Sequence, residues 1–181
     1  MGKRSNFERK ERDFYETPIE ATLPLIPHLG YDFTFIEPCA GSGVLINHLE
    51  DNGGKCNFAS DIVPQRGDIH TYDYRQISMK YFSETDYIIT NPPWNRILLH
   101  PMIEHFSKLK PTWLLFDADW MHTRQSSEYM PYCEKIISVG RIKWFGNMTG
   151  KDNCAWYLFS NRWHKKQLLN QRNCTFFYGR T

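Results

Sequence analysis

Three short runs in this chain are apolar on both faces of an extended backbone, and each is followed by a polar, glycine-rich or proline-rich turn. They are Phe33-Thr34-Phe35-Ile36, Tyr87-Ile88-Ile89-Thr90 and Trp113-Leu114-Leu115-Phe116. A strand that is apolar on one face can lie against solvent, whereas one that is apolar on both needs cover on both sides. Segments with helical periodicity, Val44 to Asp51 and Leu98 to Leu109, fall between these runs, and Asn57-Phe58-Ala59-Ser60 reads as a further strand ending at Asp61. The alternation predicts an α/β fold of Rossmann-like kind, a mostly parallel twisted sheet with helices on both faces. Further on, Lys135 to Phe145 and Cys154 to Phe159 read as two strands with no helix between them, so a C-terminal antiparallel hairpin is expected.

A length of 181 residues, 41% of them hydrophobic and 23% charged, suits one folded domain. We expect a flexible basic arm over residues 1–12 and a single domain over 13–181. At Thr17-Pro18-Ile19-Glu20 the order fits a helix start, with Thr17 as cap and Glu20 reaching back in a capping box. No apolar run approaches the ~20 residues of a membrane span, and the first residues lack the apolar centre of a signal peptide. A cytoplasmic protein without a membrane partner is expected. The five cysteines, Cys39, Cys56, Cys133, Cys154 and Cys174, are widely spaced and form no Cys-x-x-Cys pair. Neither a disulfide framework nor a metal site is indicated.

The net charge of +2 is unevenly spread: residues 1–12 carry five Lys or Arg against two Glu, and residues 153–181 carry five against none. Basic ends around an acidic middle fit a phosphate-binding footprint, with Lys3, Arg4, Arg9, Lys10, Arg12, Arg162, Lys165, Lys166 and Arg172 as candidates. A solvated tail at each end accounts for the charge equally well.

In an open parallel sheet, ligands bind at the carboxyl ends of the strands beside the switch point. After the first strand, Glu37-Pro38-Cys39-Ala40-Gly41-Ser42-Gly43 forms a glycine turn into a helix, where the backbone can approach a ligand. Asp61, twenty positions after Gly41, ends the second strand, where a carboxylate can hold a ribose diol. A third glycine and a Gly-Lys-Ser/Thr element are both missing, which counts against a dinucleotide and a triphosphate. An ordinary strand-to-helix turn remains open for this element. Asn91-Pro92-Pro93-Trp94 is more informative. Its prolines remove backbone donors, leaving the Asn91 side-chain carbonyl and the Pro92 backbone carbonyl as acceptors. Two acceptors aimed at one exocyclic amine would hold it with its lone pair free, and Trp94 offers a ring for a planar base. His100 and His105 read as surface residues, Trp113 and Trp156 as core, and Asp117 and Asp119 as loop or cap carboxylates.

From about Asp13 to Phe159 the sequence resembles the class I S-adenosylmethionine-dependent amino-methyltransferases, and more closely the small phage-type DNA adenine N6-methyltransferases. Asp13 to Pro18, with Tyr15, Thr17 and Pro18, looks like the family's N-terminal motif near the methionine part of the cofactor. Glu37, Cys39, Gly41 and Gly43 look like its cofactor loop, with Glu37 at the amino-acid end. Asp61 and Ile62 match the ribose-binding position, and Asp73-Tyr74 resembles the pair at the cofactor's adenine, a place that Asp68-Ile69 could also take. Asn91, Pro92, Pro93 and Trp94 match the catalytic tetrapeptide, with Trp where Tyr or Phe is commoner. Trp144-Phe145 resembles the aromatic position that braces a flipped base.

The resemblance implies methyl transfer from S-adenosylmethionine to the exocyclic amine of adenine in DNA. Only 17 residues separate Asp73 from Asn91 and 22 follow Phe159, too few for the family's separate target-recognition domain. An exocyclic amine in RNA, or a glutamine amide in protein, is therefore the alternative acceptor. A cofactor-binding regulator without catalysis is the reading from another class, and the intact tetrapeptide argues against it.

Overall fold

The computed structural model describes residues 15–144, 153–161 and 174–179. Along these, the chain forms α1 (Ile19–Thr22), β1 (Thr34–Glu37), α2 (Val44–Glu50), β2 (Lys55–Asp61), β3 (His70–Thr71), α3 (Met79–Ser83), β4 (Tyr87–Thr90), α4 (Arg96–Leu109), β5 (Thr112–Asp117), β6 (Cys133–Arg141), β7 (Asn153–Phe159) and β8 (Thr175–Tyr178). The strands make one sheet in the order β3-β2-β1-β4-β5-β7-β6-β8. Only β7 runs against the rest: it is antiparallel to β5 and to β6, and every other pairing is parallel. The chain leaves β1 towards β2 and β3 on one side and returns to β4 on the other. A crevice therefore opens where β1 and β4 end.

Alternation along the central strands explains why their sequences are apolar throughout. Phe35, Ile89, Trp113 and Leu115 pack with Leu25, Leu45 and Leu49 of the α1–α2 side. Their neighbours Ile36, Ile88, Leu114 and Phe116 pack with Leu99, Ile103 and Phe106 of α4 on the opposite side. Each such side chain contributes ~1.5–3 kcal/mol when fully buried. The turns at the ends of β1 and β4 are thus anchored to the most heavily packed strands. Trp113 and Trp156 are core residues as expected, and the Trp156 indole N–H donates to the Ala21 carbonyl at 2.7 Å, tying α1 to β7.

The expected hairpin is present as β6 and β7, in the register Ile137 to Trp156 and Ser138 to Ala155. Its first strand ends at Arg141, opposite Asn153 and short of the expected Phe145, which lies outside the described residues. Two strands had no counterpart in the sequence reading, β3 and β8, both on the edges of the sheet. The capping box expected at Thr17 does not form. Pro18 is the N-cap of α1, without a side-chain cap, because the Thr17 hydroxyl is engaged by Asn91. His100 is half-buried, and its Nε2 accepts the Trp120 indole N–H at 3.0 Å. Asp117 caps a short turn by accepting the Asp119 N–H, as a loop carboxylate would.

Candidate functional site

At the carboxyl ends of β1, β2 and β4 lies a cavity of about 900 Å³. Tyr15, Thr17, Glu37, Cys39, Gly41, Asp61, Ile62, Asp73, Tyr74, Asn91 and Pro93 all line it. The topology thus brings together residues spread over most of the described chain. Pro18, Gly43, Pro92, Trp94 and Trp144 are not on its wall. Phe145, together with the basic residues at both ends, lies outside the described residues.

Glu37 closes β1 and is 2% exposed. Its Oε2 has no hydrogen-bond partner among the described residues. Burial, reinforced by the Asp61 charge and opposed by Arg66, pushes its carboxyl well above the ordinary 4.5. An orphaned buried carboxylate oxygen is costly to keep and is a natural partner for a cationic or N–H-bearing ligand. Burial also raises the Cys39 thiol, so Cys39 stays neutral on the same wall.

Asp61, at the end of β2, accepts the Gly41 N–H at 2.9 Å and the Val63 N–H at 2.8 Å. It braces the glycine turn as well as facing the cavity. Gly41 and Gly43 both have positive φ, 53° and 76°. The role of Gly43 differs from the expected one: a Cβ there would collide with the Arg66 guanidinium, which bonds the Gly43 carbonyl and Asn47. The missing side chain at position 43 makes room for Arg66, off the cavity wall.

Of the two acidic candidates farther along, Asp73 lines the cavity and Asp68 does not. Asp68 is exposed and paired with Arg66 at 2.6 Å. Asp73 caps a turn over Tyr74–Gln76 and holds Arg75 through both carboxylate oxygens. Those charge-assisted bonds, Arg75 first, bring its carboxyl down to about 2. Tyr74 stands edge-on to His105 and Phe106, with ring centroids at 5.3 Å and 5.2 Å.

Asn91 follows β4 directly. Its Nδ2 donates to the Tyr15 carbonyl at 3.3 Å and to the Thr17 hydroxyl at 3.2 Å, and its Oδ1 accepts the Trp94 indole N–H at 3.2 Å. Trp94 meets Trp144 edge to face, with centroids at 5.7 Å, and Trp144 lies 6.3 Å from the Tyr15 ring. Tyr15, Trp144 and Trp94 thus form a chain of aromatic rings whose last member bonds Asn91. The segment before α1 is held at a second point, because Glu16 accepts the Ser42 hydroxyl at 2.8 Å.

Several wall residues escaped the sequence reading. Arg75 carries no motif signal, and Glu16, though inside the Asp13 to Pro18 motif, has no role of its own assigned by it. Ile97 and Leu98 line the cavity at 80% and 47% exposure. Their signal was available: they sit at the start of α4, outside the buried set of Leu99, Met102, Ile103 and Phe106. Apolar residues off the packed face of a helix mark a surface with another use.

No protein-family model matches the sequence, and no curated protein matches it either. Solved structures do match. A protein from Pyrococcus horikoshii, provisionally assigned as an RNA methyltransferase, superposes with a TM-score of 0.60 at 14% identity, over 87% of this chain and 93% of that one. The modification subunit of a provisionally assigned type I restriction enzyme from Vibrio vulnificus gives 0.56 at 10% identity, over 91% of this chain and 47% of that one. A dimethyladenosine transferase from Plasmodium falciparum gives 0.51 at 17% identity, over 82% of this chain and 63% of that one. The chain spans about half the length of the Vibrio protein. At such identities the likeness establishes the fold, which is the Rossmann-like fold of these methyltransferases.

Proposed function

We propose that this chain is an S-adenosylmethionine-dependent methyltransferase acting on the exocyclic amine of adenine in DNA. The observation that carries the reading is the Asn91 side chain on the wall of a cavity whose β1 end holds the orphaned Glu37 carboxylate. The donor set fits the cofactor. Glu37 is suited to its ammonium group, Asp61 and Ile62 to its ribose, and Asp73 and Tyr74 to its adenine. Gly41 leaves the backbone open to its methionine part, beside Cys39, Tyr15, Thr17 and Pro18.

When bound, S-adenosylmethionine supplies an electrophilic methyl group that carries its own leaving group. The chain has to align and polarise the acceptor, and a strong base is not required. Asn91 Oδ1 would accept one N–H of the acceptor amine and the Pro92 carbonyl, which stands next to it but off the cavity wall, would accept the other, leaving the amine lone pair free. A paired adenine cannot reach such a site, so it must leave the stack at a cost of a few kcal/mol. Stacking on Trp94 and on Trp144 or Phe145 would offset that cost, at ~1–3 kcal/mol per stacking ring. The basic residues of both ends would contact phosphates and supply affinity that falls with salt. On this reading residues 13–181 form one catalytic domain that works in the cytoplasm. No helix among the described residues is long and apolar enough to cross a membrane.

An exocyclic amine in RNA is the second reading, favoured by the RNA assignment of the Pyrococcus horikoshii protein. Purified protein with methyl-labelled cofactor, offered DNA, RNA and protein in parallel, separates the two. Label in adenine of DNA supports the proposal, and label confined to RNA or to glutamine moves the acceptor. Calorimetric binding of the cofactor without transfer to any of them supports a regulator.

A further inference from the structure

The geometry points to Thr17 and Trp94 as a clamp that locks the Asn91 carboxamide in one orientation, so that its free hydrogen-bonding capacity at the cavity is acceptor only. The inference rests on the proposed amine chemistry and assigns positioning roles to two residues within it. A carboxamide can be turned over about its last bond, which exchanges its oxygen and its nitrogen. At Asn91 the neighbours decide between the two states. An indole N–H can only donate and a backbone carbonyl can only accept. With Trp94 Nε1 at 3.2 Å on one side and the Tyr15 carbonyl at 3.3 Å on the other, a turned amide would set N–H against N–H and oxygen against oxygen.

Thr17 completes the arrangement. Thr17 is 4% exposed and its hydroxyl accepts the second Nδ2 bond, so both Asn91 donors are committed to the chain itself. One lone pair of Oδ1 remains, and the Pro92 carbonyl takes no backbone hydrogen bond among the described residues. A ligand that bonds the Asn91 side chain must therefore bring a donor. A ring nitrogen or a carbonyl oxygen facing this side chain finds no donor on Asn91 itself, although the Thr17 hydroxyl beside it keeps its own hydrogen. The Trp at position 94 has a specific consequence: phenylalanine there keeps a ring and loses the donor. Trp94 is itself held edge to face by Trp144, and Pro92 and Pro93 restrict the backbone between the two clamped residues.

The test uses the full chain with cofactor and an amine-bearing oligonucleotide that the wild type methylates. Trp94→Phe and Thr17→Val are each expected to lower kcat about tenfold while the KM for the oligonucleotide stays within about twofold, and Trp94→Phe is expected to leave the cofactor Kd within about twofold as well. Thr17→Ser restores the acceptor and is expected to restore kcat, which a purely structural role would not produce. Independently of turnover, the Trp94 indole signal in a 15N–1H spectrum, identified by its loss in Trp94→Phe, is expected to exchange slowly in the wild type and quickly in Asn91→Ala. Unchanged kcat in both Trp94→Phe and Thr17→Val, with the wild type active, overturns the clamp and leaves the proposed function standing. An indole signal indifferent to Asn91→Ala overturns it as well. A wild type that transfers to no amine overturns the proposed function, and with it the positioning roles.

Discussion

The Asp61 carboxylate ties the end of β2 to the turn after β1, because its Oδ2 accepts the Gly41 N–H while its Oδ1 accepts the Val63 N–H. One side chain therefore shapes two segments of the cavity wall. Asp61→Ala removes both acceptors and lets the glycine turn relax. The site is partly exposed, so water replaces part of the loss and the stability cost is expected to be about 1 kcal/mol. Cofactor affinity is expected to fall more than tenfold, because the turn and the proposed ribose contact are lost together. Thermal denaturation and calorimetric titration of the same variant separate the two effects. Affinity unchanged within twofold would remove Asp61 from the cofactor site.

Glu37 predicts a particular pH dependence. Its folded-state pKa is raised above the ordinary 4.5, chiefly by burial, so the folded protein binds this proton more tightly than the unfolded chain does. The stability contributed by the protonated carboxyl is full below about 4.5 and is lost as the pH rises from there through the raised folded value. Glu37→Gln should flatten that part of the stability profile. A cofactor ammonium favours the ionised carboxylate, so binding should release protons from the wild type and fewer from Glu37→Gln. Titrations in buffers of different ionisation enthalpy read that number, and equal release from both proteins would count against Glu37 as the ammonium partner.

How much of this was legible beforehand depended on the range of the interaction. The steps from β1 to α2 and from β4 to α4 could be read from the chain because apolar runs and Gly or Pro turns are local signals. The Thr17 cap was misread because a Thr-Pro-x-Glu pattern reports local chemistry, while the hydroxyl is claimed by Asn91, 74 positions away. The Trp94 indole bond to Asn91 spans only three residues, yet a Trp after Asn-Pro-Pro signals a stacking ring and nothing local signals the use of its N–H. The two-residue edge strand β3, with exposed His70 and Thr71, shows none of the doubly apolar character that marked the central strands, whereas β8, Thr175–Tyr178, does carry an aromatic run that is a strand signal in the sequence.

Gly43 and Arg66 should be energetically coupled. Gly43→Ala places a side chain on left-handed backbone, at about 1–2 kcal/mol, and drives it into the Arg66 guanidinium. In an Arg66→Ala background the collision disappears and only the backbone cost remains. Urea denaturation of the wild type, both single variants and the double variant measures the difference. Equal cost of Gly43→Ala in both backgrounds would mean that Arg66 moves aside freely.

Asn91→Ala distinguishes a residue that acts on the acceptor from one that shapes the cofactor site. The substitution removes the Oδ1 acceptor, frees the Trp94 indole N–H and releases Thr17 and the Tyr15 carbonyl. Stability should fall by about 1 kcal/mol, the typical scale for lost side-chain hydrogen bonds. The segment before α1 keeps its second anchor, Glu16 on Ser42, and the Glu37 and Asp61 contacts lie on other strands. Cofactor affinity should therefore stay within a few-fold of the wild type while methyl transfer is abolished. Single-turnover transfer with saturating cofactor isolates that loss from binding. Retained transfer in Asn91→Ala would mean that the amine is polarised elsewhere, and the acceptor would have to be sought away from the end of β4.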